Sequence, residues 1–378
     1  MNRHQLKEIC VSKRLLGALL TALALTFAVA ACGSSSDDSS STSSGGGGDL
    51  SGEIAGAGAT SQEAAQEAWT ANFENENSGA TISYDPVGSG GGREQFNAGG
   101  VAFAGSDAAI SEEEGEMKAA IKRCTPGELI EVPAYVSPIA IIYNLPEVES
   151  LQLSPETLAK IFNQEITQWN DKAIAADNPG VDLPDTRIVP VNRSDESGTT
   201  ENFTEYMSEV VPSVWNYEVS GDWPVKGGEA ASGTSGVVEA VGAGEGAIGY
   251  ADASQAGELG IAKIQVGKNY EEPTPEAAAA IVEESPEDQA LKGGKYMFPF
   301  ALDRKTESEG TYPIVLVSYL IACTEYKSAD EAAVAKGYLE YAISPEGQEA
   351  AAENAGSAPL SAALTKQITP AVEAIVAG

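Results

Sequence analysis

Apolar and polar positions along this chain follow two periods, and the periods predict its elements. Continuous apolar runs of strand length occur at 101–105, 135–143, 188–191, 247–251 and 312–322, with a shorter strand at Ile82-Ser83-Tyr84. Between them apolar residues recur at helical spacing. Ala65, Ala68, Trp69 and Phe73 form one face, and Leu158, Ile161 and Phe162 another, after Ser154-Pro155-Glu156. Phe203, Tyr206, Met207 and Val210 form a third, after Ser197. Further helices are predicted from Ser111 to about Arg123, from Trp169-Asn170-Asp171 to about Asp177, and over 233–243, 275–284 and 329–341, the last being the final amphipathic helix. Strands alternating with helices predict an α/β architecture.

Three helices, one of them over Glu94-Gln95-Phe96-Asn97, are entered through glycine-rich turns that carry hydroxyls: Gly56-Ala57-Gly58-Ala59-Thr60-Ser61, Gly88-Ser89-Gly90-Gly91-Gly92-Arg93, and Arg193-Ser194-Asp195-Glu196-Ser197-Gly198-Thr199-Thr200. Each places Ser or Thr at the capping position, and Thr60-x-x-Glu63 and Ser111-x-x-Glu114 have the capping-box pattern. The first N–H groups of a helix have no partner inside it, and the dipole leaves that end partly positive. In the third turn Gly198 lets backbone approach a ligand, Ser197 and Thr199 add donors, and Arg193 adds a two-pronged charge suited to phosphate-like oxygens. Asp195 is placed to hold Arg193. An N-cap with a surface ion pair fits the same residues equally well. Asp107 follows a strand, where α/β proteins place ligand residues, although a turn or cap also accounts for it.

Charge and rare residues narrow the chemistry. The 378 residues carry a net charge of −34, enough chain for two domains. Residues 1–14 hold Arg3, Lys7, Lys13 and Arg14 and precede a 17-residue apolar or small stretch, 15–31. This is the pattern of a signal peptide. Without residues 1–31 the chain keeps 18 basic and 55 acidic residues, a net of −37, which repels nucleic acid and anionic lipid and mostly serves solubility. An oxyanion site here must win through local donors. The sole histidine, His4, leaves with the leader, which excludes Ser-His-Asp and Cys-His catalysis and His-ligated metal. No Walker A loop occurs, and Gly244-Glu245-Gly246-Ala247-Ile248-Gly249 runs into a strand rather than a helix, so it is not a dinucleotide fingerprint. No cofactor or metal is expected.

Val29-Ala30-Ala31-Cys32-Gly33 resembles a bacterial lipobox, whose cysteine is diacylated after cleavage; secretion with a free cysteine, or an uncleaved anchor, are the alternatives. Residues 33–49, rich in Ser, Gly and Asp, form a flexible tether with a reach of roughly 20–25 Å. Cys10 leaves with the leader. Cys124 and Cys323, an even pair in an exported chain, predict a disulfide, with two separate buried thiols as the alternative.

Several motifs occur together in order. They are the Gly-Ala-Gly-Ala-Thr turn ending at Thr60, Gly88-Ser89-x-Gly-Gly, Gly105-Ser106-Asp107-Ala108, and Trp169-Asn170-Asp171-x-x-Ile174 with Asn178-Pro179-Gly180. Arg193-x-Asp195-x-Ser197-Gly198-Thr199 and Gly246-Ala247-Ile248-Gly249-Tyr250 follow. From about residue 52 onward the chain thereby resembles the periplasmic phosphate-binding proteins of phosphate ABC importers. The resemblance implies a two-lobed periplasmic-binding-protein-like α/β fold of type II, hinged by crossing strands. One lobe comprises 50–134 plus 313–378 and the other 135–312, so the predicted disulfide lies within one lobe and does not lock the hinge. It implies phosphate ligands at Thr60, the N–H of Ser61, Ser89, Asp107, Arg193, Ser197, Gly198 and Thr199, with Asp195 orienting Arg193. A carboxylate at Asp107 accepts the proton that phosphate still carries and meets sulfate as a like charge.

The implied protein is a high-affinity inorganic phosphate receptor. It is a monomer lipid-anchored at the extracytoplasmic membrane face, serving permease and ATPase subunits and catalysing no reaction. Receptors for sulfate, molybdate or a phosphate ester, and an exported phosphatase using Ser89 or Ser197, are the alternatives. Two positions depart from the family. Ser61-Gln62 stands where Phe-Pro is usual, which makes the cleft wall more polar. Glu196 stands where glycine is usual, which adds an acid at the mouth and changes the turn.

Overall fold

The computed structural model describes residues 50–112 and 115–378. The leader, Cys32, the tether and the expected cap at Glu114 lie outside the described residues. In chain order the elements are β1 (Ser51–Gly58), α1 (Glu63–Glu76), β2 (Gly79–Asp85), α2 (Ser89–Asn97), β3 (Phe103–Ser106), α3 (Glu116–Cys124), β4 (Leu129–Tyr143) and β5 (Leu151–Leu153). Next come α4 (Pro155–Phe162), α5 (Lys172–Asp177), β6 (Val189–Arg193), α6 (Gly198–Val210), β7 (Glu229–Ala231), α7 (Gly233–Ala243), β8 (Ala247–Asp252), β9 (Gly260–Val266) and β10 (Asn269–Glu271). The last are α8 (Pro275–Glu284), β11 (Tyr296–Met297), β12 (Val315–Cys323), β13 (Glu325–Tyr326), α9 (Ala329–Ile343), α10 (Pro345–Ala355), α11 (Ala362–Glu373) and β14 (Val376–Ala377).

The main sheet runs β2-β1-β3-β12-β4-β8-β6-β7, with β9 also on β4 and β5 and β10 on β9. The outer strands pair in parallel: β1 with β2 and β3, and β6 with β7 and β8. The centre is antiparallel and belongs to both halves. β4 pairs with β12 through Leu129–Pro138 and then with β8 and β9 through Ile139–Tyr143. All 15 residues of β4 and all nine of β12 are buried, because both faces are covered by other elements. This is why their sequences are nearly unbroken apolar runs.

The run expected at 135–143 starts earlier, at Leu129. Glu131 and Pro133 interrupt the apolar pattern, yet Glu131 is fully buried on the strand. The helix expected at 329–341 is α9, but it is not the last. α10 packs through Ala350, Ala351 and Ala355, too small to make an apolar stripe, and α11 carries Pro370 inside it. Each half has an aromatic anchor. Trp69 is fully buried on α1 and its Nε1 donates to Gly347 O at 2.8 Å. In the other half Phe203 of α6 stacks beside Tyr250 of β8, ring centres 4.6 Å apart, with Phe162 edge-on at 5.0 Å from Phe203. Burying each such side chain stabilises the fold by about 1.5–3 kcal/mol. Cys124 and Cys323 are disulfide-bonded, Cα atoms 5.1 Å apart, joining the ends of α3 and β12, so they are not separate thiols. Among the described residues no helix is long and apolar enough to cross a membrane.

Candidate functional site

Three helix starts converge on one carboxylate. A 3-10 turn at Thr60–Gln62 leads into α1, Ser89 is the first residue of α2, and Ser197 is the N-cap of α6. Two glycines permit the convergence. Gly88 has φ +91°, and a Cβ there would meet Asp195 Oδ2 at 2.7 Å. At Gly198 a Cβ would stand 2.7 Å from both Asp107 Cβ and Ser89 Oγ.

Asp107, 3 % exposed, is the centre of the arrangement. Its Oδ1 accepts from Ser61 Oγ at 2.6 Å and Ser318 Oγ at 2.7 Å, and its Oδ2 from Thr199 Oγ1 at 2.9 Å. Its N–H donates to Ser89 Oγ at 3.1 Å, and its carbonyl accepts from Asn202 Nδ2 at 2.8 Å. An ionised carboxylate has about four lone-pair sites, so three hydroxyl donors leave one acceptor position.

Arg193, 3 % exposed, ends β6. Its backbone N–H donates to Tyr250 Oη at 3.2 Å, and its guanidinium grips both oxygens of Asp195, with Nε to Oδ1 at 2.9 Å. Burial alone would raise the Asp195 carboxyl; the hydrogen bonds and charge of Arg193 outweigh it and hold the carboxyl below its ordinary range. Asp195 Oδ1 also accepts from Gly233 N at 3.1 Å. The next residue, Thr234, donates its N–H to Thr60 Oγ1 at 3.1 Å, so the start of α7 joins the ring.

The sequence-predicted residues Thr60, Ser61, Ser89, Asp107, Arg193, Asp195, Ser197, Gly198 and Thr199 thus lie around one place. Two expected caps do not form. Thr60 and Glu63 make no capping box, since the residue before Thr60 has no side-chain cap and Thr60 Oγ1 turns across to Thr234. Ser89 does not cap α2, because its hydroxyl accepts from Asp107 N instead. Only Ser197 caps, accepting from Thr200 N at 3.2 Å. For Ser89 and Ser197 an N–H occupies a lone pair of the hydroxyl oxygen and leaves its proton free to be donated; Thr60 Oγ1 also lies 2.9 Å from Thr234 Oγ1, and either hydroxyl can donate.

Sequence reasoning missed Ser318, Asn202 and Thr234. Ser318 had a signal, as the one serine in an apolar strand, and Thr234 repeats the glycine-hydroxyl pattern at a helix start. Asn202 had none. The two departures from the family pattern have definite places. Gln62 is fully buried, donating to Ser318 Oγ at 2.5 Å and Tyr319 O at 3.2 Å, so it lines the wall behind Asp107. Glu196 precedes Ser197, whose N–H donates to Gly221 O at 3.1 Å. A larger groove of about 520 Å³ lies between α8 and the α10–α11 connection, lined by residues such as Val282, Phe300 and Leu360, by Glu283 and Glu287 and by no Lys or Arg, a lining unfavourable to an anion. Among the described residues no cluster of three His, Cys, Asp or Glu could hold a metal ion.

Comparison with known proteins places the chain among relatives. The family model for a PBP superfamily domain matches residues 39–346. Phosphate-binding protein PstS2 of Mycobacterium bovis is 35% identical over 332 residues, covering 85% of this chain and 87% of the relative. Phosphate-binding protein PstS of Xylella fastidiosa is 31% identical over 325 residues, covering 84% of each. Among solved structures, a high-affinity periplasmic phosphate-binding protein (PfluDING) bound with phosphate superposes with TM-score 0.69 at 24% identity, covering 84% of this chain and 93% of that one. A phosphate ABC transporter substrate-binding protein from Clostridium perfringens superposes with TM-score 0.57 at 19% identity, covering 80% and 98%. These superpositions carry the two-lobed fold, and the shared sequence carries the family. The chain is a member of the PBP superfamily and belongs, within it, to the PstS family of phosphate-binding proteins.

Proposed function

We propose that this chain is the phosphate receptor of an ABC importer. It closes two lobes, 50–134 plus 313–378 and 135–312, on one HPO4/H2PO4 ion and catalyses no reaction. The shared strands β4 and β12 support this partition, although β11, within 135–312, pairs with Ile130 and Glu131 of the first lobe. The observation that carries the reading is Asp107, a carboxylate with one acceptor position left among helix N-termini. A donated P–OH proton fills that position, whereas sulfate has none to offer and meets the carboxylate as an unpaired like charge. The N–H groups at Ser61, Gly198 and Thr199, the hydroxyls of Thr60, Ser89 and Ser197, and Arg193 serve the other oxygens.

An exported phosphatase has less support. Ser89 and Ser197 have backbone N–H groups on their oxygens and no histidine beside them. The lipobox at Cys32 and the tether after it support a lipid-anchored receptor at the outer membrane face that hands phosphate to permease and ATPase subunits. The PstS relatives, named as phosphate-binding proteins, support phosphate as the ligand. Thermal melting of the mature chain with phosphate, arsenate and sulfate tests the reading. Phosphate and arsenate raise the melting temperature and sulfate leaves it in place; equal stabilisation by sulfate overturns the assignment. Turnover of a chromogenic phosphate ester by the pure protein would restore the enzyme reading.

A further inference from the structure

The sequence departure at Glu196 and a second buried arginine meet across the mouth of the cleft. Arg93 lies on α2, one helical turn beyond Ser89, and is 8 % exposed. Its Nε donates to Glu116 Oε1 at 2.5 Å and its Nη1 to Ser106 Oγ at 2.8 Å, beside Asp107. Its remaining arm, Nη2, reaches Glu196 Oε1 at 3.1 Å. α2 packs on β1 and β3, at one end of the main sheet, whereas Glu196 sits between β6 and α6, at the other. The pair therefore bridges the two halves.

A dedicated slot receives the Glu196 carboxylate. A Cβ at Gly90 would come within 1.3 Å of its Oε2, and one at Gly221 within 2.3 Å of its Oε1. Neither glycine has the positive φ that would demand glycine for the backbone, so the missing side chains make room for the carboxylate. Oε2 is buried there without a hydrogen-bond partner, so the contact with Arg93 is what the carboxylate gains from entering.

We infer that Arg93 and Glu196 form a clasp that holds the closed conformer and slows release of the bound anion. Both are positioning residues and neither is assigned a contact with the anion. Arg93 ties α2 and the Ser106-Asp107 turn to the residue preceding Ser197, so closing the clasp brings the start of α2 and the start of α6 into register. The contact exists only when the halves meet, so it shifts the open–closed equilibrium without needing a ligand. The inference rests on the receptor reading, since slow release has meaning only for a protein that closes on phosphate.

The test is release of radiolabelled phosphate by rapid filtration, with melting temperatures measured with and without phosphate. Two variants of the mature chain are used. Glu196→Gln keeps the shape and removes the charge. Gly221→Ala fills the slot from a loop that holds no ligand group and expels the same carboxylate. Both should release phosphate about two- to fivefold faster, the worth of a partly exposed ion pair. Both should also shrink the phosphate-induced rise in melting temperature while leaving the ligand-free melting temperature in place. Release unchanged in both variants, or equal loss of stability with and without phosphate, overturns the clasp while the receptor reading stands. A wild-type protein that retains no phosphate removes the reading and the clasp together.

Discussion

Replacing Asp107 by Asn changes one atom and inverts what that atom offers. Ser61 and Ser318 both donate to Oδ1, so the amide oxygen takes that position and keeps both bonds. The amide nitrogen then occupies the Oδ2 position, and the Thr199 hydroxyl, now 2.9 Å from that oxygen, rotates to accept. The fold therefore loses little. The anion loses more: where the carboxylate accepted a P–OH proton, an N–H now points at it. A hydrogen bond to a charged group contributes about 1.5–3 kcal/mol, so phosphate weakens roughly 10- to 150-fold. Sulfate moves the other way, because a like charge is replaced by a donor. The two changes together narrow the ratio of phosphate to sulfate affinity by about 3–4 kcal/mol, on the order of several hundredfold. Calorimetric titration of both anions into wild type and Asp107→Asn measures the ratio, and a ligand-free melt checks the fold. A ratio unchanged within about threefold in a normally folded variant would refute the role given to this carboxylate.

Two other perturbations probe the surroundings. Arg193→Ala leaves Asp195 without its partner, facing the anion, and should weaken phosphate by about 3 kcal/mol, more than 100-fold; a dissociation constant changed by less than about threefold would take Arg193 out of the site. Glu131→Gln concerns pH. Burial pushes the Glu131 carboxyl from 4.5 up to about 8, partly offset by the N–H of Ile110. The folded protein then keeps a proton that the unfolded chain gives up. This group's contribution therefore falls as pH rises between 4.5 and 8, by at most about 1.4 kcal/mol per pH unit. Asp252, pushed by burial to about 6, and Glu201, to about 7, slope the same way over narrower windows. Urea midpoints from pH 5 to pH 8 should fall less steeply in Glu131→Gln than in wild type, and identical slopes would show that Glu131 is ionised in the fold.

The strands and most helices were legible because burial on both faces demands unbroken apolar runs and burial on one face demands a stripe. That Gly198 marks a close backbone approach was legible, because such a contact permits only glycine; that Asp107 and Ser89 crowd it was not. Elements that pack through alanine, such as α10, write no such signal. Of the three hydroxyls expected to cap, Ser197 does and Thr60 and Ser89 do not: a Ser or Thr at a helix start caps by default, and only a neighbour from another element can take it away. Asp107 and Thr234 do that to Ser89 and Thr60.

The amino-acid order by itself determined the α/β class, the glycine-rich helix starts and the pairing of Arg193 with Asp195, since each depends on residues close in sequence. Tertiary structure alone decided that Ser318, 211 positions beyond Asp107, completes its hydrogen bonds, and that Glu196 has an arginine to meet. Those contacts join segments whose separation carries no periodicity, and only the shared central strands bring them within reach.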